Sequence, residues 1–167
     1  MSDLPDDPGR IWVVSDTHLK SGQILPKAFT KKIDREDIII HLGDFTSPGI
    51  IDQLQCLARL EAVSGNCDPP SIRNRFPAKK VVEISGRKIG LIHGGGGYSG
   101  TVDRVESLFC GKVDAALFGH THSPYHAKVN GTIIFNPGSL SQGRGGPETF
   151  GLLHLDAEGI WGEVIEL

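Results

Sequence analysis

No apolar run in this 167-residue chain approaches the roughly 20 residues needed to span a bilayer, so a membrane-spanning helix is not expected. The opening "MSDLPDDPGR" is acidic and proline-rich without an apolar stretch, and it does not read as a secretory signal. Cysteine is scarce: Cys56, Cys67 and Cys110 are odd in number and widely spaced, which argues against a disulfide framework and for a reducing compartment. Positive charge is not in excess either. The formal net charge is −3, with lysine and arginine scattered, so there is no basic footprint for nucleic-acid binding. Repeats, linkers and low-complexity segments are also missing. A single domain over residues 1–167 is expected, located in the cytoplasm, with self-association left open.

What the chain has in plenty is glycine, 22 residues, many of them directly after short apolar runs. Those runs read as strands. "IWVVSD" and "DIIIHLGD" are β-branched stretches ending in polar turns, with a short helix expected between them over residues 24–32. "SPGIIDQLQCLARL" reads as a helix opened by Ser-Pro, "EAVSGNCD" as a strand entering a Gly-Asn turn, and "KKVVEISGRKIGLIHGG" as two strands. "VDRVESLF" reads as a helix and "VDAALFGH" as a strand, followed by strands around "YHAKV", "TIIFN", "TFGLLHLD" and "IWGEVIEL". Helices alternate with strands early, and strands succeed one another late. The expectation is a mixed α/β sandwich.

The residues that close these runs share a chemistry. The carboxyl ends carry Asp16 and His18, then Asp44, Asn66, His93, and finally His120 and His122. Ligand sites in open α/β sheets gather outside such ends. Residues i and i+2 of extended backbone project to one side, so Asp16 with His18, and His120 with His122, can each offer two donors. A lone histidine at a strand end is ordinarily structural. Five such turns in order are a different matter. Mixed oxygen and imidazole donors suit Mn, Fe, Co, Ni or Zn, whereas calcium and magnesium prefer oxygen alone. Seven donors exceed one tetrahedral ion and fit two ions sharing a carboxylate.

These ordered motifs, Asp16-Thr-His18, Gly43-Asp44, Gly65-Asn66, His93-Gly94 and Gly119-His120-Thr-His122, resemble the calcineurin-like metallophosphoesterase superfamily. The short length, the "GNCD" turn and the "NPGSLSQGR" segment are similar to its small uncapped branch, which includes bacterial and archaeal phosphodiesterases and Vps29. The resemblance implies a four-layer α/β/β/α sandwich. It implies one ion on Asp16, His18, Asp44 and His122, and a second on Asp44, Asn66, His93 and His120. Asp44, Asn66 and His93 are also the expected catalytic residues. The implied activity is phosphodiester hydrolysis by a hydroxide bridging two ions, manganese foremost, acting on a phosphate-ester substrate. The alternative is a Vps29-like scaffold without catalysis, against which all seven competent side chains speak.

Two positions depart from the superfamily pattern. Cys67 stands where many members carry a histidine that serves as general acid, and "HGGGGYSG" replaces the frequent His-Gly-His. "CDPPSIR" satisfies a C-x5-R pattern, but Pro69 and Pro70 supply no N–H groups for an anion, so Cys67 reads as a small, at least half-buried residue. Gly95, Gly97 and Gly100 fit G-x-G-x-x-G, yet the acidic residue such a dinucleotide site needs is missing, and a mobile loop beside the metals is the better reading. Arg144, in the loop with Ser139, is a candidate partner for a substrate phosphate.

Overall fold

The computed structural model describes residues 9–157 and 159–167. The acidic start of the N-terminal segment, residues 1–8, lies outside them. Fourteen elements are formed by the described residues, in the order β1 Ile11–Val14, α1 Lys27–Thr30, β2 Ile38–His41, α2 Pro48–Leu57, β3 Arg59–Ala62, α3 Pro70–Arg73 and β4 Lys79–Ile84. The second half continues with β5 Arg87–Ile92, α4 Thr101–Phe109, β6 Ala115–Phe118, β7 Tyr125–Val129, β8 Thr132–Asn136, β9 Thr149–Leu155 and β10 Ile160–Glu166. None of the helices is long and apolar enough to cross a membrane.

Two five-stranded sheets result, ordered β10-β9-β1-β2-β3 and β4-β5-β6-β8-β7. Each has three parallel strands, β1–β2–β3 with antiparallel β9 and β10 on one side and β3 at the edge, and β5–β6–β8 between antiparallel β4 and β7. β1, β2, β6 and β8 are buried along their whole length because both faces are covered. Alternation sorts them. From β1 and β2, Ile11, Val13, Ile38 and Ile40 meet Ile84, Ile89, Leu91, Leu117 and Phe135 of the second sheet. Trp12, Val14 and Ile39 point the other way, against Ile50, Ile51 and Leu54 of α2. On the far side, Ala116, Phe118 and Ile134 pack under Val105 and Phe109 of α4. Each fully buried side chain of this kind contributes roughly 1.5–3 kcal/mol. The four layers are helix, sheet, sheet, helix, as the resemblance implied.

Local departures have physical causes. The helix read through Leu60 stops at Leu57, because Ala58 is extended (φ −158°, ψ −177°) and Arg59–Ala62 pair in parallel with β2. The helix expected over residues 24–32 shortens to a single turn, Lys27–Thr30. One further turn, α3, begins at Pro70 inside the C-x5-R segment. Cys67 is exposed rather than buried, and all three cysteines are free.

Candidate metal centre

The seven residues singled out from the sequence follow five of the six parallel strands. Asp16 and His18 come after β1, Asp44 after β2, Asn66 after β3, His93 after β5, and His120 and His122 after β6. The backbone there is not extended. Asp16, His18, Asp44, His120 and His122 all have positive φ, between 43° and 70°. Such left-handed conformations cost non-glycine residues roughly 1–3 kcal/mol each and concentrate at functional sites. The paired donors therefore arise from tight left-handed turns, not from alternation along a strand. Glycines make the turns possible by close approach: a Cβ at Gly65 would overlap Asp44 Oδ1, and one at Gly119 would overlap Ser15 Oγ.

Six of the seven converge. His122 Nε2 lies 3.1 Å from Asp16 Oδ1 and 3.2 Å from His18 Nε2. His18 Nε2 and His93 Nε2 approach Asp44 Oδ2 at 3.4 and 3.3 Å. His93 Nε2 also sits 3.1 Å from Asn66 Oδ1. Two clusters of ligating atoms form, Asp16–His18–His122 and Asp16–Asp44–His93, and a third joins His18 and Asp44 to Cys67. His120 belongs to none of these clusters. Its Nε2 lies 2.9 Å from Gly96 O, and its ring packs edge-on to His93 at 5.2 Å.

Carbonyl oxygens only accept hydrogen bonds, and this orients the imidazoles. His93 Nδ1 donates to Leu42 O (2.7 Å), His122 Nδ1 to Gln142 O (2.9 Å) and His120 Nε2 to Gly96 O. In a neutral ring the opposite nitrogen is then an acceptor, the arrangement characteristic of metal-binding histidines. For His93 and His122 that acceptor faces carboxylate oxygen. With the rings neutral, acceptors would face acceptors, and the ion-pair partners of Asp16 and Asp44 among the described residues are histidines, not lysine or arginine. Asp16 Oδ2 takes hydrogen bonds from Ser15 Oγ (2.6 Å) and the His120 backbone N–H (2.9 Å). Its Oδ1 is fully buried without one. A buried, electron-rich cluster of this kind calls for a cation, and its donor set fits divalent metal ions.

The titration behaviour follows the same logic. Burial works against the charged forms of Asp16 and Asp44, but contacts with His122 and His18 in the first case, and with His93 in the second, hold both carboxyls below the usual range. Burial would lower His93; its bond to Asp44 and the charge of Asp16 raise it instead. Contact with Asp16 raises His122 against its burial. The Cys67 thiol, partly desolvated and beside Asp44, is pushed up to about 11.

Two supporting residues were not recognised from the sequence. Asp68 accepts the backbone N–H groups of Asp44 (3.0 Å), Gly65 (2.8 Å) and Thr46 (2.9 Å), locking the turns after β2 and β3 together. Its place in "GNCD" was the available signal. His41, wholly buried and lowered to about 3 by that burial, accepts Gly43 N–H at Nδ1 (3.1 Å), so its Nε2–H faces Thr17 Oγ1 (3.2 Å). Nothing in a β-strand pattern marks it.

A family model, the calcineurin-like phosphoesterase superfamily domain, matches residues 10–158. The chain belongs to that superfamily. Calcineurin-like phosphoesterases use divalent metals, in keeping with the donor set just described, and the chain is a metal-dependent phosphoesterase by family. It is 41% identical over 133 residues to a probable metallophosphoesterase of Methanocaldococcus jannaschii, covering 77% of this chain and 67% of that one. In structure it is similar to a zinc complex of Vps29 from Entamoeba histolytica (TM-score 0.70, 22% identity, 95% of this chain and 99% of that one). An archaeal phosphodiesterase shares the same fold (TM-score 0.69, 23% identity, 94% and 100% covered).

Proposed function

We propose that the chain is a phosphodiesterase that works with two divalent transition-metal ions, manganese foremost, in the cluster at the strand ends. Asp16, His18, Asp44 and His122 would hold one ion, and Asp44, Asn66, His93 and His120 the other, with Asp44 shared. The observation that carries this reading is the buried Asp16 Oδ1, left without a hydrogen bond while three imidazole nitrogens stand 3.1–3.9 Å away. For His120, the nitrogen not committed to Gly96 is Nδ1, which is the donor it would offer.

When bound, such ions supply positive charge to phosphoryl oxygens and make a water nucleophilic at neutral pH. The residues do the rest. Ser15 and the His120 N–H occupy one oxygen of Asp16, so the other is turned into the cluster. Asp68 holds the Asp44 backbone N–H, and the Cys67 N–H, which donates to Asp44 Oδ1 at 2.8 Å, fixes the Asp44 carboxylate. No imidazole stands at position 67 to protonate a leaving group, so activated aryl diesters should be hydrolysed faster than unactivated ones. Installing one, Cys67→His, should accelerate unactivated esters by up to about 10²–10⁴-fold, the range of a positioned general acid.

The test is elemental analysis after reconstitution with Mn²⁺, paired with assays of phosphodiesters against phosphomonoesters. Two equivalents of metal and preferential diester hydrolysis are expected. A folded protein that retains one ion or none, or that turns over neither ester, would overturn the proposal and favour a scaffold role.

A further inference from the structure

Two loops lie over the metal cluster, and each is tied to one imidazole of the Gly-His-Thr-His turn. The glycine-rich loop between β5 and α4 reaches His120 through Gly96 O, and the loop between β8 and β9 reaches His122 through Gln142 O, both at 2.9 Å. The first loop is pinned from behind. Arg104 of α4 donates to Gly97 O (2.7 Å), Ser99 O (3.3 Å) and Thr101 Oγ1 (3.0 Å). In front, the ring of Tyr98 stacks on His120 at 4.8 Å with an interplanar angle of 24°.

Arg144 joins the two loops. Its guanidinium lies over the outer face of Tyr98, 3.8 Å from the ring centroid, and Nη2 donates to the Tyr98 hydroxyl. The order from outside inward is Arg144, Tyr98, His120, His93. Several other arginines are spent on the protein: Arg10 pairs with Asp34 and Asp37, Arg87 with Asp114, Arg73 with Asp68 O. Among the described residues Arg144 has no carboxylate partner, and it is exposed, held through Tyr98.

We infer that Arg144 binds the phosphoryl oxygens of the substrate and that Tyr98 is its positioning residue. This rests on the phosphodiesterase reading for the substrate class. A guanidinium presents a planar fork that matches two phosphate oxygens, and little rotamer freedom remains to be lost when it is already stacked on an aromatic face. The aromatic platform leans in turn on His120, so the cation is set at a fixed offset from the metal ligands. The loop arginine that could equally have been a solvated surface residue is held where an anion bound at the cluster would meet it.

The test uses Mn²⁺-loaded protein in two measurements: calorimetric titration with inorganic phosphate, and KM for bis(4-nitrophenyl) phosphate. Arg144→Ala should weaken phosphate binding and raise KM by about 10- to 100-fold, the loss expected for a charged hydrogen bond, with metal content unchanged. Arg144→Lys should recover part of this. Tyr98→Leu should shift both quantities in the same direction by less, and Tyr98→Phe, which keeps the ring, should recover most of that loss. Wild-type phosphate affinity and KM in Arg144→Ala would overturn the inference while leaving the phosphodiesterase reading intact. Arg144-dependent phosphate binding in a protein that hydrolyses no diester would do the reverse.

Discussion

Asp37 and Asp16 are two buried aspartates at opposite ends of the same pair of strands, and the chain treats them oppositely. Asp37 precedes β2. Its oxygens accept the Arg10 N–H (2.8 Å), the Trp12 indole N–H (2.7 Å) and the Asp34 N–H (2.9 Å), with the Arg10 guanidinium 3.3 Å away. Asp16 follows β1, and one of its oxygens has no hydrogen-bond donor at all. Both carboxyls are held below the usual range, yet for different reasons. Fixed N–H groups outweigh burial at Asp37, and titratable imidazoles outweigh it at Asp16. A carboxylate fully provided for by its own fold is structural. One that leans on groups able to exchange a proton for a metal ion is equipped for binding.

The largest effect should come from the functional end. Asp44→Ala removes the carboxylate proposed to be shared, so metal retention and turnover should fall by more than the about 10–100-fold typical of a supporting residue. Asn66→Ala should cost less, because in that proposal an exposed neutral amide would serve one ion only. Equal mild losses in metal analysis and kinetics would break the assignment.

Asp68→Ala belongs between the two extremes. It leaves three backbone N–H groups without their acceptor, at about 1–3 kcal/mol for each that stays dry, and it loosens the Asp44 and Gly65 turns. Activity should drop by about 10–100-fold and the melting temperature should fall with it.

Asp37→Asn should do the opposite of Asp44→Ala, costing about 1–3 kcal/mol at neutral pH while metal content is preserved. The pH dependence follows from its lowered pKa. Stability from Asp37 is present above the unfolded value near 3.9 and is lost as pH falls through the folded one. Acid unfolding curves of the variant should therefore be flatter below pH ~4. A variant as acid-sensitive as wild type would place the sensitivity elsewhere.

The smallest effect is expected at Cys67. It neighbours the cluster but is exposed, and Cys67→Ala should retain most activity towards an activated aryl diester. Loss of turnover with metal still bound would give the thiol a chemical role.

Much of this molecule was legible in its sequence because apolar runs bounded by glycine report buried strands well. Every strand read from the sequence is present, and the polar residues after five of them stand on one edge. The backbone between Asp16 and His18 was not legible, since alternation describes strands and these residues occupy left-handed turns set by tertiary hydrogen bonds. Asp68 and Asp37 look alike in a list of acidic residues. Only the N–H groups brought to them from distant turns separate one role from the other. The end of α2 was lost for a similar reason, because β2 claims Arg59–Ala62 by pairing that no local pattern encodes.

The ligand turns are divided between the sheets: Asp16, His18, Asp44 and Asn66 hang from one, His93, His120 and His122 from the other. One contact that joins the halves, His120 N–H to Asp16 Oδ2, closes a span of 104 residues. The clusters Asp16–His18–His122 and Asp16–Asp44–His93 each draw on both sheets, so neither is complete until the sheets are docked. An ion able to bind only the docked pair adds its binding free energy to whatever resists their separation. Amide hydrogen exchange should therefore slow in both sheets together when Mn²⁺ is added, as though a cross-brace had been fitted between two walls.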